Sequence, residues 1–318
     1  MKTNELHVVL GSGAVGKAVA RELVKLGKTV RVVNRSGKVA DLPASVEVVK
    51  GDVYNAANVA QLTKGATTVY QCAQPEYHEW AEKFPPLQAA VLEGVAASGA
   101  RLVVMENVYM YGDPNGRPIV ETLPYDAHTK KGKIRAAMSN ALMEAHGSGK
   151  VKVAIGRASD FIGPEYFIGA DQLIYPAIEG KMANALGDLD ALHSFTYVPD
   201  VGKALAILGT HDDAFGQAWH IPSPAPLSQR QLTELVYKEA GNPVKVRAGG
   251  RILLSIIGLF NPSVREIVEM LYEFEKPFIL DSTKFEKAFG MKATPIEQAV
   301  RETVAYFKAH PKPKSKAA

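Results

Sequence analysis

The chain has 318 residues, of which 47% are hydrophobic and 22% charged, as in globular proteins that form one large domain or two smaller ones. Its net charge of +4 is small and lies partly in the basic C-terminal tail, so no nucleic-acid partner is expected. The single cysteine, Cys72, excludes an intrachain disulfide, and the first apolar run is too short for a secretory signal, so we predict a cytoplasmic protein without a membrane partner.

The first thirty-five residues predict a strand, a glycine turn, a helix and a second strand. The apolar run of residues 6–10 ends at the glycine turn of residues 11–16. Apolar residues then recur at helical spacing until Gly27, and the β-branched run of residues 29–33 has the length of a buried parallel strand. The segment therefore predicts a βαβ unit.

Three glycines in this turn have the spacing of a dinucleotide-binding motif. Gly11 permits a tight turn, Gly13 lets the backbone approach a pyrophosphate, and Gly16 lets the helix pack closely on the strand. Free backbone N–H groups and the positive end of the helix dipole would then face the phosphates. The remaining residues of the predicted phosphate site are Ser12, Ala14 and Val15.

The end of the second strand predicts which dinucleotide binds. A carboxylate there would bind the ribose hydroxyls of NAD, but this chain has Asn34, Arg35 and Ser36, followed by Lys38. Arg35 can form a charge-assisted contact with a 2′-phosphate while it stacks on adenine. The pattern favours NADP over NAD as the cofactor, although a solvated turn arginine has the same signature.

Strands and helices alternate regularly as far as residue 157, which predicts an α/β fold with a doubly wound parallel sheet. The alternation loosens afterwards. We predict a dinucleotide-binding domain over residues 1–157, to which residues 190–221 return, a mainly helical substrate lobe over 158–189 and 222–311, and a disordered tail over 312–318. Further strands are predicted at 46–49, 67–72, 101–105, 151–157, 195–198 and 218–221, and helices at 56–64, 87–98, 134–146 and 250–272.

Helix-start signals occur twice in the C-terminal part. Ser228 and Gln231 have the spacing of a capping box, and Thr294 precedes Pro295 at the start of the last helix. The apolar stripe of the segment 250–272 is interpreted as part of the core. No Cys-x-x-Cys or His-Glu-x-x-His spacing is found, so no metal site is predicted.

Four motifs together resemble the extended short-chain dehydrogenase/reductase superfamily, and within it the NAD-dependent epimerase/dehydratase group. They are the glycine turn, the pair Asp52 and Val53, the loop 106–112 (ENVYMYG) and the segment 157–164 (RASDFIGP). The resemblance covers nearly the whole chain. It implies that Asp52 and Val53 hold the adenine ring, that Ala73 and Gln74 lie beneath the adenosine-side ribose and phosphates, and that the protein is a homodimer through helices at about 87–98 and 134–146.

The resemblance also implies a serine, a general-acid tyrosine and a lysine four residues after it, and here the chain departs from the family. Aligning the segment before the sixth strand places Lys133 on the lysine, Thr129 on the tyrosine and Asn107 on the serine. A threonine hydroxyl is far less acidic than a phenol and cannot take over the proton transfer. We therefore consider Tyr111 or Tyr109 as the acid, with Asn107 as a donor to the substrate carbonyl and Lys133 at the nicotinamide ribose.

These features favour an NADP(H)-dependent oxidoreductase that transfers hydride to or from a carbonyl or alcohol carbon of a small organic substrate. An epimerase or dehydratase of a sugar-type substrate is the first alternative, and Thr129 argues against it. Asp160 argues against it too, because a carboxylate at that position would repel a nucleotide diphosphate unless it pairs with a cation. The second alternative is a protein that binds NADP(H) as a sensor and has lost catalysis.

Overall fold

The computed structural model describes residues 5–260 and 262–312, so residues 313–318 of the predicted tail lie outside the described part. The strands are β1 Leu6–Leu10, β2 Thr29–Asn34, β3 Glu47–Lys50, β4 Ala66–Gln71, β5 Arg101–Glu106, β6 Val153–Arg157, β7 Asp160–Ile162, β8 Ala183–Leu186, β9 Leu192–His193, β10 Phe195–Tyr197, β11 Ala218–His220, β12 Leu227–Ser228 and β13 Val246–Gly249. The helices are α1 Ala14–Lys25, α2 Ala56–Leu62, α3 Trp80–Ser98, α4 Lys130–Gly147, α5 Ile174–Glu179, α6 Val198–Thr210, α7 Gln229–Ala240, α8 Arg251–Gly258, α9 Pro262–Val268, α10 Tyr272–Glu275, α11 Thr283–Phe289 and α12 Ile296–Ala309.

Seven parallel strands form the central sheet, in the order β11-β6-β5-β4-β1-β2-β3. The order reverses between β1 and β4, so the carboxyl ends of these two strands open a crevice where doubly wound sheets bind ligands. Helices cover both faces: α1 and α6 pack together on one side, and α2, α3 and α4 on the other. The predicted α/β fold with a doubly wound parallel sheet, a Rossmann-type fold, is confirmed.

The remaining strands form three two-stranded sheets outside the central sheet: β7 with β10, β8 with β13, and β9 with β12. A separate apolar core joins α5, α7 and α12 beneath them. The division of the chain into the predicted domains remains a prediction.

Two predicted helices differ from the observed ones. The helix predicted at 87–98 begins at Trp80 and runs through Pro85 and Pro86, because Trp80 and Phe84 bury their rings against the sheet. The segment 250–272 is divided into three short helices, α8, α9 and α10.

The two predicted helix starts have different outcomes. The capping box of Ser228 and Gln231 is present, with both reciprocal hydrogen bonds. Thr294, however, does not cap α12, because its hydroxyl and its backbone N–H both donate to the carboxylate of Asp200.

Candidate active site

The glycine turn after β1 is tightly packed at its two ends and open in the middle. A Cβ on Gly16 would lie 2.1 Å from the carbonyl oxygen of Gly11, and one on Gly11 would lie 2.7 Å from the backbone nitrogen of Ala73. Gly11 also has a φ of 107°, which favours glycine. Gly13, by contrast, is exposed and has no atom within 4 Å of a Cβ position. A pyrophosphate can therefore approach the backbone at Gly13 and the first turn of α1, where Ser12, Ala14 and Val15 also lie.

The end of β2 forms a compact loop that is tied to the glycine turn. The amide nitrogen of Asn34 donates to the hydroxyl of Ser12 at 2.9 Å, and its Oδ1 accepts from the backbone of Gly37 at 2.7 Å. Ser36 hydrogen-bonds to Oδ1 of Asn34 and to the carbonyl of Lys38. Asn34 is thus fixed as a hydrogen-bonding residue of the loop, while the side chain of Arg35 is exposed at its tip.

The residues expected around the adenosine lie along the same edge of the sheet. Oδ1 of Asp52, just after β3, accepts the backbone N–H of Tyr54 at 2.9 Å, and Val53 is half-buried against α2 and α3. Ala73 contacts Gly11, and Gln74 is exposed one residue further on. The structure therefore brings these four residues to the crevice edge.

A buried charge cluster lies below the crevice, at the end of β5. The carboxylate of Glu106 lies 3.1 Å from Nε of Arg157 and 3.4 Å from a terminal nitrogen of Arg135, and all three side chains are almost completely buried. The Arg135 guanidinium also packs on the ring of Phe84, 4.7 Å from its centre. Because these charges are paired and enclosed, they serve to connect β5, β6 and α4.

Tyr111 belongs to this buried cluster. Its hydroxyl accepts from Arg157 at 2.5 Å and lies 2.9 Å from Nε2 of His220, and its side chain is 3% exposed. Burial raises the pKa of Tyr111 above its ordinary value. Of the two tyrosines considered as the acid, Tyr111 therefore lies in the core, with its hydroxyl fully engaged.

Tyr109 lies two residues earlier and faces the end of β4. Its ring centre is 6.0 Å from that of Trp80, whose ring centre is in turn 5.1 Å from that of Tyr77, so the two tyrosines pack on the same tryptophan. Burial is the main cause that raises the pKa of both tyrosines, so both are phenols at neutral pH. Asn107, half-buried at the end of β5, directs its side-chain oxygen to the backbone N–H of Tyr109 at 3.4 Å. Its amide nitrogen would supply the donor expected from the resemblance.

The start of α4 places the residues that were aligned with the family tyrosine and lysine. Thr129 is buried as the N-cap, and its hydroxyl accepts the backbone N–H of Gly132 at 3.1 Å. Lys133 lies on the outer face of the helix, with its side chain exposed. Its expected role at the nicotinamide ribose therefore does not fit its position.

Lys131 occupies the inner face instead. Its side chain is 2% exposed, and its ammonium lies 4.6 Å from the centre of the Tyr77 ring. The ammonium pairs with Glu266, and with Glu269 at 3.1 Å. The backbone of Lys130 also donates to Glu269 at 3.1 Å, so the carboxylates after α8 cover the first turn of α4.

The inner face of α4 could have been read from the sequence. Lys131, Arg135 and Ser139 are spaced at i, i+4 and i+8 and are all buried, and Ser139 hydrogen-bonds to Arg157 at 2.7 Å. The alignment chose Lys133 because it is a lysine at the family spacing. Lys131, however, lies on the same face of the helix as Arg135 and Ser139, and this is the buried face. Tyr77 carried no comparable sequence signal, because its position depends on the fold of the loop after β4.

Asp160 and His193 form the far wall of this region. Oδ2 of Asp160 lies 2.8 Å from Nε2 of His193, and Nδ1 of that histidine lies 3.1 Å from the carbonyl oxygen of Glu273. The Glu273 side chain is itself buried, and burial raises its pKa well above the ordinary value. The charged partner of the Asp160 carboxylate is therefore a histidine.

Two further findings apply to the described residues alone. Within them, no group of three or more His, Cys, Asp or Glu side chains has the arrangement of a metal site. No helix in residues 5–260 and 262–312 is both long and apolar enough to cross a membrane.

Comparison with known proteins identifies relatives over most of the chain. The profile of the NAD dependent epimerase/dehydratase family matches residues 8–221. A 2′-dehydrokanamycin reductase of Streptomyces kanamyceticus is 29% identical over 263 residues, which are 77% of this chain and 70% of the reductase. A mouse sterol-4-alpha-carboxylate 3-dehydrogenase (decarboxylating) is 27% identical over 260 residues, 74% of this chain and 70% of that enzyme.

Among solved structures, an epimerase from the methanogen Methanothermobacter thermautotrophicus superposes with a TM-score of 0.80. It is 17% identical, and the superposition covers 96% of this chain and 93% of that one. At this identity the likeness shows the shared fold and nothing about the substrate.

Proposed function

This chain belongs to the NAD dependent epimerase/dehydratase family of NAD(P)-dependent oxidoreductase-type enzymes, and we propose that it is an NADP(H)-dependent reductase or dehydrogenase. It would transfer hydride between the nicotinamide and a carbonyl or alcohol carbon of an organic substrate. Both curated relatives described above are named for oxidation or reduction, which favours this chemistry over epimerisation. The cofactor supplies the hydride, and the chain's own residues bind it, orient it and move the proton.

The NADP(H) assignment rests on the residues at the end of β2, where Asn34 is followed by Arg35. A dinucleotide whose pyrophosphate lies at Gly13 would direct its adenosine ribose towards the end of β2. There the Asn34 amide is already hydrogen-bonded to Ser12, and no carboxylate is present to accept two ribose hydroxyls. The exposed guanidinium of Arg35 is suited to a 2′-phosphate instead.

For the proton, we propose that Tyr77 and Tyr109, which pack on the same tryptophan, take the role of the family tyrosine. The pair lies between the ends of β4 and β5, the edge at which the nicotinamide of a bound cofactor would end. A phenol with a raised pKa stays protonated at neutral pH and can donate to the alkoxide that forms when hydride reaches a carbonyl. Asn107 would hold the carbonyl oxygen, and Lys131 would supply the positive charge that was expected from Lys133.

The two alternatives are weaker on the same observations. A nucleotide-sugar epimerase would need to place a diphosphate near the carboxylate of Asp160, which His193 neutralises only when it is protonated. A cofactor sensor without catalysis would not need two neighbouring phenols, Tyr77 and Tyr109, beside Lys131. The sensor is nevertheless the alternative that must be tested, because the alignment places Thr129 at the position of the family tyrosine.

We also propose that the protein forms a homodimer through α3 and α4. Between these helices runs an apolar groove lined mainly by small or aliphatic residues, which permit close approach of a second helix pair: Pro85, Gln88, Ala89, Leu92, Ile134, Ala137, Met138 and Ala141. The only polar lining residue, Gln88, donates its amide to the carbonyl of Met138 at 2.8 Å.

The experiment that tests the enzymatic proposal is a turnover screen. Purified protein is mixed with NADPH and a panel of ketones and aldehydes that includes a keto-aminoglycoside and a 3-ketosteroid, and the loss of NADPH absorbance is followed. We expect turnover with at least one ketone and none without substrate. Tight NADPH binding with no turnover across the panel would support the sensor.

A further inference from the structure

The outer face of α8 and the two residues that follow the helix form an apolar stripe that the rest of the described chain does not cover. Ile252, Ile256 and Leu259 follow one another at i, i+4 and i+7, and they are 80%, 55% and 76% exposed. Phe260, the next residue, is 88% exposed. Leu254, on the opposite side of the helix, is half-buried against Gly249. The segment was predicted to pack into the core. An exposed apolar surface of this kind commonly marks a binding surface.

The sequence around this stripe is uniformly basic. Between Glu239 and Glu266 it contains Lys245, Arg247, Arg251 and Arg265 and no Asp or Glu. Lys245 and Arg247, on or just before β13, are both exposed, and they donate to neutral groups, the Gly180 carbonyl at 2.9 Å and the Asn184 side-chain oxygen at 2.7 Å. An apolar stripe flanked by exposed cations is the arrangement that binds the interface of an anionic bilayer.

We propose that α8 docks on the surface of an anionic lipid membrane, lying in the plane of the interface. The helix has eight residues and is therefore about 12 Å long, far less than the roughly 30 Å of a bilayer's hydrocarbon core. It can insert Ile252, Ile256, Leu259 and Phe260 among the acyl chains while Lys245 and Arg247 stay at the headgroups. The expectation of no membrane partner came from apolar runs too short for a signal or a membrane span, and such lengths do not exclude docking at the surface.

A second copy of this chain fits the stripe less well. A stable protein interface buries about 800 Å² on each partner, whereas one face of this helix is a strip about 12 Å long and 10 Å wide. Uniform positive charge would also oppose pairing of the stripe with itself in a symmetric dimer. The groove between α3 and α4 is a separate, longer surface for that purpose.

The stripe is structurally connected to the candidate active site. α8 packs against α9, and Glu266 of α9 pairs with Lys131 on the inner face of α4. Membrane docking would therefore place the site one helix away from the lipid surface. The inference goes beyond the proposed function and does not depend on it, because lipid binding can be measured without turnover.

The test is co-sedimentation of the full chain with vesicles. Vesicles of phosphatidylglycerol and phosphatidylcholine in about equal parts are compared with vesicles of phosphatidylcholine alone. We expect binding to the mixed vesicles that weakens at high salt, and weaker binding to the neutral ones. The double substitution Ile256→Glu and Leu259→Glu should lower the partition coefficient by about tenfold or more, because each removes an inserted side chain.

The control is Leu26→Glu, which places one carboxylate at another exposed apolar position, at the end of α1. It should leave vesicle binding unchanged, and all variants should unfold at the temperature of the wild type because the side chains are exposed. Absence of wild-type binding to the mixed vesicles would overturn the proposal, as would equal binding by the double variant. So would a change in the oligomeric state of the lipid-free double variant, which would assign the stripe to a second copy.

Discussion

The hydroxyl of Tyr111 lies 2.9 Å from Nε2 of His220, and the other ring nitrogen of that histidine lies 3.0 Å from the carbonyl oxygen of Asp281. The carbonyl can only accept, so Nδ1 carries the proton and Nε2 accepts from the tyrosine. Arg157 in turn donates to the Tyr111 oxygen. This chain of hydrogen bonds requires a neutral His220 and joins β6, β11 and the loop after β5 into one buried unit.

The requirement for a neutral His220 predicts an acid-sensitive fold. Burial lowers the pKa of His220 to about 3, from 6.5 as the ordinary value, so the unfolded chain binds more protons between these two limits. Stability must then fall as the pH decreases from about 6.5, by about 2–3 kcal/mol for this group at pH 4.5. Urea unfolding at several pH values should show this slope, and His220→Gln should flatten it. The exposed His78→Gln is the control, and an equal slope in both variants would contradict the account.

The two candidate tyrosine sites predict opposite effects on turnover and stability. Tyr77→Phe or Tyr109→Phe should lower kcat by about two orders of magnitude while the NADPH affinity stays the same, because a general acid is lost. Tyr111→Phe should instead destabilise the fold by about 1–3 kcal/mol, because Nε2 of His220 is left without its donor. Steady-state kinetics and urea unfolding of the same three variants distinguish the sites. Loss of turnover in Tyr111→Phe alone would identify Tyr111 as the acid.

The two lysines at the start of α4 provide a matched comparison. Lys131→Met removes a buried cation beside Tyr77 and leaves Glu266 and Glu269 unpaired, so we expect weaker NADPH binding and at least about tenfold lower kcat. Lys133→Met changes an exposed side chain two residues away, and its kinetics should match those of the wild type. If Lys133→Met proves the damaging substitution, the alignment with the family lysine was right and Lys131 has only a structural role.

The groove between α3 and α4 predicts a dimer that a single charge disrupts. Ala137→Glu would place a carboxylate in the apolar groove, so the protein should shift from dimer to monomer in analytical ultracentrifugation. Ala97→Glu, exposed on α3 outside the lining of the groove, should leave the dimer intact. A wild-type protein that sediments as a monomer at micromolar concentration would contradict the proposal.

The parallel sheet could be predicted from the sequence because its signals are local. Residues 6–10, 29–33 and 101–105 are short apolar runs bounded by turns, and they lie within the observed strands β1, β2 and β5. The glycine turn could also be predicted from the sequence. The fold requires glycine at Gly11 and Gly16, where close contacts leave no room for a side chain, and the spacing of the glycines shows this requirement. Periodicity and steric demand are properties of the chain itself.

The catalytic side of the site depends on contacts between distant segments, and the sequence indicated it poorly. Whether a lysine at the start of α4 faces inwards depends on Glu266 and Glu269, more than 130 residues later. Tyr111 was considered as the acid because its neighbours in the sequence do not show that it is buried. Its partners Arg157 and His220 come from two later strands. The stripe of α8 has the pattern of a core helix, and only the tertiary arrangement shows that nothing in the described chain covers it.

The most direct test of the central claim is a titration of the purified protein with NADPH and NADH, followed by cofactor fluorescence. We predict that NADPH binds at least about tenfold more tightly than NADH, and that Arg35→Ala removes the difference by weakening NADPH alone. Arg230→Ala, an exposed arginine on α7 that pairs with Asp190, is the control and should leave both affinities unchanged. Tighter binding of NADH, or a preference for NADPH that survives Arg35→Ala, would contradict the assignment of Arg35 to the 2′-phosphate.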